Sequence, residues 1–149
     1  MVFNIFTSFL LPWIVVIFIF KIDLKIILLI APLASIVTHI LNTITIAYGF
    51  VAVAPYSLET NFASIPMVLG IIPAISTVLI HLIRKHGFDI GWIIIFACST
   101  ALFEWLLLSL GFVKYHNGWT IIWTFIVYII GYYMVYGYYK ILNRLQYIH

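Results

Sequence analysis

The chain has 149 residues, about the length of one domain, and hydrophobic residues make up 66% of it. Charged residues make up only 7%, against about 25% in soluble globular domains. A water-soluble fold of this size cannot hide so much apolar surface, so we expect an integral membrane protein. The net charge of +3 comes from few charges and includes no basic, aromatic-rich patch, which argues against a nucleic-acid partner.

Charged and polar residues divide the sequence into five apolar segments, and a membrane-spanning helix needs about 17–25 residues. The sequence therefore predicts an all-α, single-domain bundle of five transmembrane helices, at about residues 3–20, 26–48, 64–83, 90–112 and 119–141. The alternative is four spans with the first or third segment re-entrant, and it is disfavoured because the charges would then not alternate between the two sides. Residues 49–63, which include Pro55, Glu59 and Asn61, are expected to form a loop at the membrane surface. KYHNG, residues 114–118, is expected to be a tight turn.

Lysine and arginine residues fall almost entirely on one side of this five-span arrangement. That side carries six of them: Lys21, Lys25, Arg84, Lys85, Lys140 and Arg144. The opposite side carries only Lys114. Cytoplasmic loops of membrane proteins are enriched in these residues. We therefore expect a multi-pass plasma-membrane protein with its N-terminus outside and its C-terminus in the cytoplasm.

One carboxyl group, Glu104, interrupts the fourth apolar segment. At about 1.5 Å per residue it lies roughly 12 Å from the outer end of its helix. Ala97, Thr100 and Ala101 share its side of the helix, and small residues let a neighbouring helix come close. We expect Glu104 to face protein, where an ionisable group marks a candidate functional site. The alternative is a protonated Glu104 that donates a structural hydrogen bond between helices.

The second apolar segment carries the most polar face of the chain. Steps of three and four place the following residues on one side of a helix: Ser35, Thr38, His39, Asn42 and Thr45. His39 lies roughly 13–14 Å from the outer end of its helix, close to the depth of Glu104. We expect this face to turn toward the bundle interior and to reach Glu104.

Aromatic and hydrogen-bonding residues follow the fourth segment and form a candidate lip above Glu104: Tyr115, His116, Asn117 and Trp119. Their alternative role is a turn with an aromatic belt at the membrane surface. Thr100 and Tyr128 are further candidates for ligand contact, because hydroxyls within the membrane need partners.

Motifs for metal, nucleotide or haem binding and for the standard hydrolases are absent from the sequence. Cys98 is the single cysteine and cannot form an internal disulfide. The sequence therefore implies no metal and no cofactor.

The segment with Glu104, the following GFVKYHNGW at residues 111–119 and the aromatic last helix resemble a group of uncharacterised integral membrane proteins. These are small proteins of Bacillus- and Clostridium-type spore formers. The resemblance covers mainly the last third of the chain, with a looser likeness around Pro55-Tyr56 and Pro66. It implies a bacterial membrane and no particular activity.

Three hypotheses for the function follow. The first is a binding or transport-type module, whose site would combine Glu104, the second-segment face and the His116/Asn117 lip. The second is an intramembrane enzyme acting on a lipid or isoprenoid, with Glu104 as general acid and His39 or Asn42 tuning it. The third is an accessory or structural subunit. Membrane lipids are the expected surroundings, and the small size suggests a homo-oligomer or a partner membrane subunit.

Overall fold

The computed structural model describes residues 6–54 and 64–147. It contains α1 Phe6–Ile19, α2 Leu24–Ala47, β1 Val51–Val53, α3 Ser64–His86, α4 Asp89–Ser109, β2 Val113–Tyr115 and α5 Ile121–Arg144. Four helices, α2 to α5, are long and apolar enough to cross a membrane, and α1 is shorter. The helical, membrane-type class is confirmed, whereas a fifth span is not shown.

Some predicted features lie outside the described residues. They are residues 3–5 of the first apolar segment, the Pro55-Tyr56 pair, and Glu59 and Asn61 of the expected loop.

The long helices follow the predicted segments, with shifts at their ends. α2 begins at Leu24 because the side chain of Asp23 accepts a 2.9 Å hydrogen bond from the backbone of the first turn. α3 continues to His86 and α5 to Arg144, each beyond its predicted end. α4 stops at Ser109, short of the expected residue 112, because the chain then turns into a strand.

α3 lies at the centre of the bundle, in contact with each of the other helices. Leu79 and Ile80 on this helix are completely buried. α2 also packs against α5, and α4 packs against both α3 and α5. The outward faces of α2, α4 and α5 expose large apolar side chains, among them Ile36, Leu102 and Ile122. Faces of this kind suit lipid better than water.

α1 approaches α3 so closely at Gly70 that the two backbones touch. A Cβ atom there would lie 1.9 Å from the carbonyl oxygen of Ser8, so only glycine fits. Beside this contact, the indole N–H of Trp13 donates a 3.1 Å hydrogen bond to the carbonyl oxygen of Leu69. Because Pro73 has no N–H, the carbonyl oxygen of Leu69, four residues earlier, lacks its usual helical donor. The indole N–H of Trp13 is the donor to this oxygen instead.

The α2–α3 and α4–α5 connections lie at one end of the bundle, where their strands β1 and β2 pair as a two-stranded antiparallel ribbon. Val51 lies opposite Tyr115, and Val53 lies opposite Val113. The expected loop at residues 49–63 thus contains a strand at Val51–Val53, and the expected turn at residues 114–118 begins with the last two residues of a strand. Each strand has only three residues, too few for an alternating pattern to be recognised, and each is stabilised by a partner far along the chain.

A tight turn follows β2 at Asn117 and Gly118. Both residues have positive φ angles, 52° and 76°, and the N–H of Trp119 donates a 3.0 Å hydrogen bond to the carbonyl oxygen of His116. Asn-Gly is the preferred pair for such a turn, because these residues tolerate the left-handed conformation. The Asn117 side chain then donates to the carbonyl oxygen of Gly49 at 3.2 Å and ties the two connections together.

At the opposite end of the bundle, α4 and α5 are joined by polar side chains. Lys140 Nζ lies 3.3 Å from Asp89 Oδ2, and the hydroxyl of Tyr136 donates a hydrogen bond to the same oxygen. Lys140 also lies over the ring of Tyr136, 5.1 Å from its centroid. The pair is partly exposed, so it contributes little to stability and mainly orients the helix ends.

Candidate functional site

Glu104 is buried between α4 and α5, with 8% of its surface exposed. The expectation that this side chain faces protein is confirmed. Its Oε1 accepts a 2.5 Å hydrogen bond from the hydroxyl of Tyr115 and a 3.3 Å bond from the hydroxyl of Thr124. Its Oε2 accepts a 2.5 Å hydrogen bond from the hydroxyl of Tyr128. Three neutral hydroxyl groups therefore surround one carboxylate.

Thr124 is the hub of these hydrogen bonds. Its Oγ1 accepts a 2.9 Å hydrogen bond from the indole N–H of Trp119 and lies 2.9 Å from the hydroxyl of Tyr115. The Trp119 N–H and the Thr124 hydroxyl can therefore point along one chain, from Trp119 through Thr124 to Oε1 of Glu104, which also accepts from Tyr115. Hydrogen bonds aligned in this way polarise and strengthen one another.

Local geometry explains how three elements converge on Glu104. Thr124 and Tyr128 are four residues apart on α5 and so share one face of that helix. In β2, Val113 and Tyr115 are two residues apart and point to the same side of the ribbon. Because the ribbon closes over the ends of α4 and α5, this side turns the Tyr115 hydroxyl toward the carboxylate.

A cavity of about 90 Å³ lies next to Glu104, between α2, α3 and α5 and against the ribbon. Most of its lining surface is apolar, and aliphatic side chains contribute to it, including Val37, Leu41, Val68, Ile72, Val127 and Val135. Glu104 is the single Asp, Glu, Lys or Arg among the lining residues that the structure describes. The polar lining residues are Thr38, Asn42, Thr45, Ser76, Trp119, Thr124, Tyr128 and Tyr132. A mostly apolar cavity with a few fixed polar groups is the common form of a small-molecule site.

Two polar side chains of α2 face this space without a protein partner. Within residues 6–54 and 64–147, no hydrogen bond involves the side-chain amide of Asn42 or the hydroxyl of Thr38. By contrast, Thr45 donates its hydroxyl to the backbone of its own helix, at 2.9 Å from the carbonyl oxygen of Asn42. Thr38 and Asn42 are therefore available to water or a ligand.

Thr100 and Tyr132 form a second polar contact between α4 and α5. Their hydroxyl oxygens lie 2.6 Å apart, and the Thr100 hydroxyl donates to the carbonyl oxygen of Phe96 at 2.7 Å. Thr100 is buried but is not among the cavity-lining residues. Tyr132 lines the cavity and stacks on Tyr128, with ring centroids 6.4 Å apart.

The structure brings together only part of the predicted site. Tyr115, Trp119 and Tyr128 join the hydrogen bonds around Glu104 and Thr124. The second-segment face divides, because Thr38 and Asn42 line the cavity whereas Ser35 does not. The remaining candidates lie apart: His39, His116 and Asn117 are all exposed.

His39 in particular does not reach Glu104. Its side chain is exposed on α2 and is absent from the cavity lining. A helical face defined by five residues spans a wide arc, so its edge can turn outward while its centre faces the bundle. The hydrogen-bond donors to Glu104 come instead from α5 and β2.

Thr124 was missed by sequence reasoning, as was Ser76 on α3. A recognisable signal existed for Thr124, because it precedes Tyr128 by four residues and Tyr128 precedes Tyr132 by four. One helical turn before Tyr128, on the same face of the helix, is therefore Thr124. Ser76 has no such signal, because its segment contains no comparable polar stripe.

Tyr115 lies outside the long helices, and its environment raises the pKa of its phenol above the ordinary value. The largest cause is burial, followed by the negative charge of Glu104 and the hydrogen bond to it. Tyr115 therefore remains a hydrogen-bond donor at ordinary pH. Among residues 6–54 and 64–147 there is no group of three or more His, Cys, Asp or Glu side chains that could hold a metal ion.

No family model, curated protein or solved structure matches this chain. The assignment of a role to the cavity therefore depends on its chemistry.

Proposed function

We propose that the chain is a binding or transport-type membrane protein that takes a small, largely apolar molecule into the cavity beside Glu104. The observation that carries this proposal is the cavity itself, about 90 Å³ bordered by one carboxylate. An accessory subunit without a ligand needs no such space, and close packing would be more stable. A cavity kept next to a buried charged group therefore favours a binding role.

The cavity wall indicates the general form of the ligand. Aliphatic side chains such as Val127 and Val135 favour an apolar body. Asn42 and Thr38 on α2, and Glu104 on the opposite side, offer polar contacts that orient it. Few polar groups in an apolar cavity provide orientation without a large desolvation cost.

The intramembrane enzyme is less well supported. Its general acid, Glu104, would need a second group to tune or relay a proton, and His39 is exposed and lies away from the cavity. No histidine, lysine, cysteine or second carboxyl group is present among the lining residues that the structure describes. Both oxygens of Glu104 already accept hydrogen bonds from hydroxyl groups. These contacts favour a fixed binding group.

We place the protein in a bacterial plasma membrane with the ribbon outside. In this arrangement α1 is the fifth span, packed along α3 and starting near the ribbon. Support comes from the charges, because the end with Arg84, Lys85 and Arg144 would face the cytoplasm. The exposed apolar faces leave room for lipid or for a second copy of the chain.

The experiment uses ethylbenzene as a small apolar probe and the purified protein in lipid nanodiscs. Val127 lines the cavity, whereas its neighbour Ile126 is 38% exposed on the outside of α5. We expect Val127→Trp to abolish saturable binding, measured by saturation-transfer NMR, and Ile126→Trp to retain it. Equal binding by both variants would show that the probe does not use the cavity and would contradict the proposal.

A further inference from the structure

Glu104 has no cationic partner among the residues that the structure describes. Lys140 forms an ion pair with Asp89 instead, at the other end of the bundle. All of the donors to Glu104 are neutral hydroxyl groups: Tyr115, Thr124 and Tyr128. A buried carboxylate is costly unless it is both hydrogen-bonded and paired with a positive charge. The described residues meet the first requirement through three hydroxyl donors, and they place no positive charge on Glu104 for the second.

The two carboxylate oxygens differ in their remaining capacity. Oε1 accepts from Tyr115 and Thr124, whereas Oε2 accepts from Tyr128 alone. Each oxygen of a carboxylate can accept about two hydrogen bonds. Oε2 therefore has room for one more N–H or O–H donor.

Aromatic rings border the same cavity. Trp119, Tyr128 and Tyr132 all line it, and the two tyrosine rings stack on each other. The face of an aromatic ring attracts a cation electrostatically, and the attraction is larger where water is excluded. A carboxylate and three aromatic side chains in one apolar cavity together favour a positively charged ligand over a neutral one.

We infer that the cavity selects an amphiphilic amine, with its ammonium group on Oε2 of Glu104 and its apolar body against the aliphatic wall. This inference rests on the proposed binding function and names its ligand class. The ammonium group donates an N–H to Oε2, supplies the missing positive charge and lies beside the ring of Tyr128. Valines of α2 and α5 contact the body.

The test compares three probes of nearly equal size: benzylamine, ethylbenzene and benzyl alcohol. Ethylbenzene replaces the ammonium with a methyl group, and benzyl alcohol keeps a donor without the charge. Each is titrated into the full-length protein in phosphatidylglycerol nanodiscs, and binding is counted as the part that Val127→Trp abolishes. We expect benzylamine to bind about tenfold more tightly than either neutral probe.

Glu104→Gln keeps an acceptor oxygen and removes the charge. This variant should lose the preference for benzylamine, measured as the ratio of its dissociation constants for ethylbenzene and benzylamine. Addition of phosphatidylethanolamine to the nanodiscs separates two sources of ammonium. If this lipid displaces benzylamine, the group that occupies the site in the membrane is a lipid headgroup; if it does not, the ligand is a free amine.

Equal affinity of the parent protein for benzylamine and ethylbenzene would overturn the amine inference and leave the binding function standing. Absence of any binding that Val127→Trp removes would overturn both. The comparison of probes on the parent protein needs no variant at Glu104, so the inference remains testable even if Glu104→Gln does not fold.

Discussion

The hydroxyl of Tyr115 donates a 2.5 Å hydrogen bond to Glu104, eleven residues earlier in the chain. This bond joins a ribbon at the end of the bundle to a carboxylate inside it. Tyr128 binds the other oxygen from α5. The side chain of Glu104 is thus held by hydrogen bonds from β2 and from α5. Substitution of Glu104 therefore removes the acceptor of donors on both elements.

Replacement of Glu104 by leucine should strongly destabilise the fold. The hydroxyls of Tyr115, Thr124 and Tyr128 would lose their acceptor, and each buried unsatisfied group costs about 1–3 kcal/mol. We expect the free energy of unfolding to fall by about 3 kcal/mol or more for Glu104→Leu, and by less for Glu104→Gln. Denaturant titration in detergent micelles measures this. Trp105→Leu, on the exposed side of α4, is the control, and equal stability of the Leu and Gln variants would contradict the expectation.

Thr124→Val removes the hub of the hydrogen bonds with little change in shape. The Trp119 indole loses its acceptor and the Tyr115 hydroxyl loses a partner, so we expect a loss of about 1–3 kcal/mol in unfolding free energy. Thr120→Val is a matched control, because Thr120 is exposed and its side chain makes no capping hydrogen bond. Thermal unfolding should separate the two variants. If both lower the midpoint equally, the hydroxyl of Thr124 has no special role.

Alanine substitution of two glycines compares a position in the α1–α3 contact with a position where an added Cβ atom meets no neighbouring atoms. Gly70→Ala brings a Cβ atom against the Ser8 backbone, so α1 must move away and the thermal midpoint should fall. Gly137→Ala meets nothing within 4 Å in α5, so it should be neutral or stabilising by about 0.5–1 kcal/mol. A Gly70→Ala protein as stable as the parent would show that α1 does not pack as described.

We expect the free energy of unfolding to fall at alkaline pH because of Tyr115. Its pKa is raised in the folded state, so folding favours the protonated phenol. The unfolded phenol has the ordinary pKa of about 10. The stabilisation is therefore complete below about pH 10 and is lost as the pH rises toward the folded pKa. We expect the unfolding free energy of the parent to fall more steeply above about pH 10 than that of Tyr115→Phe. Parallel pH dependences would contradict this.

Labelling of single cysteines tests the orientation. Cys98 is exposed on α4 and is replaced by serine first. We expect a membrane-impermeant maleimide to label His116→Cys in intact cells, and to label Lys85→Cys only after the membrane is opened. These positions lie at opposite ends of the bundle. The reverse pattern would place the ribbon in the cytoplasm.

Sequence patterns predicted the helical class, four of the helices and the burial of Glu104, because apolar length and small neighbours are local signals. The donors to Glu104 were only partly predictable. Tyr128 follows from helical spacing, whereas Tyr115 depends on a ribbon whose strands are too short to show a pattern. His39 was expected to face the bundle interior, but it is exposed whereas its neighbour Thr38 lines the cavity. At the edge of a helical face, adjacent residues can point to the interior and to the outside of the bundle. These differences depend on how α2 packs against α3 and α5.

The ribbon also limits how this chain can change in length. Val113 and Tyr115 point toward the bundle, and Lys114 between them points away. A slip of β2 by one residue against β1 would exchange these directions, turning the phenol away from Glu104 and the lysine toward the cavity. Surface loops normally tolerate insertions and deletions freely. Here an added residue that shifts β2 by one position would remove the Tyr115 hydroxyl from Glu104, so a length change near the ribbon must preserve the pairing of β1 with β2.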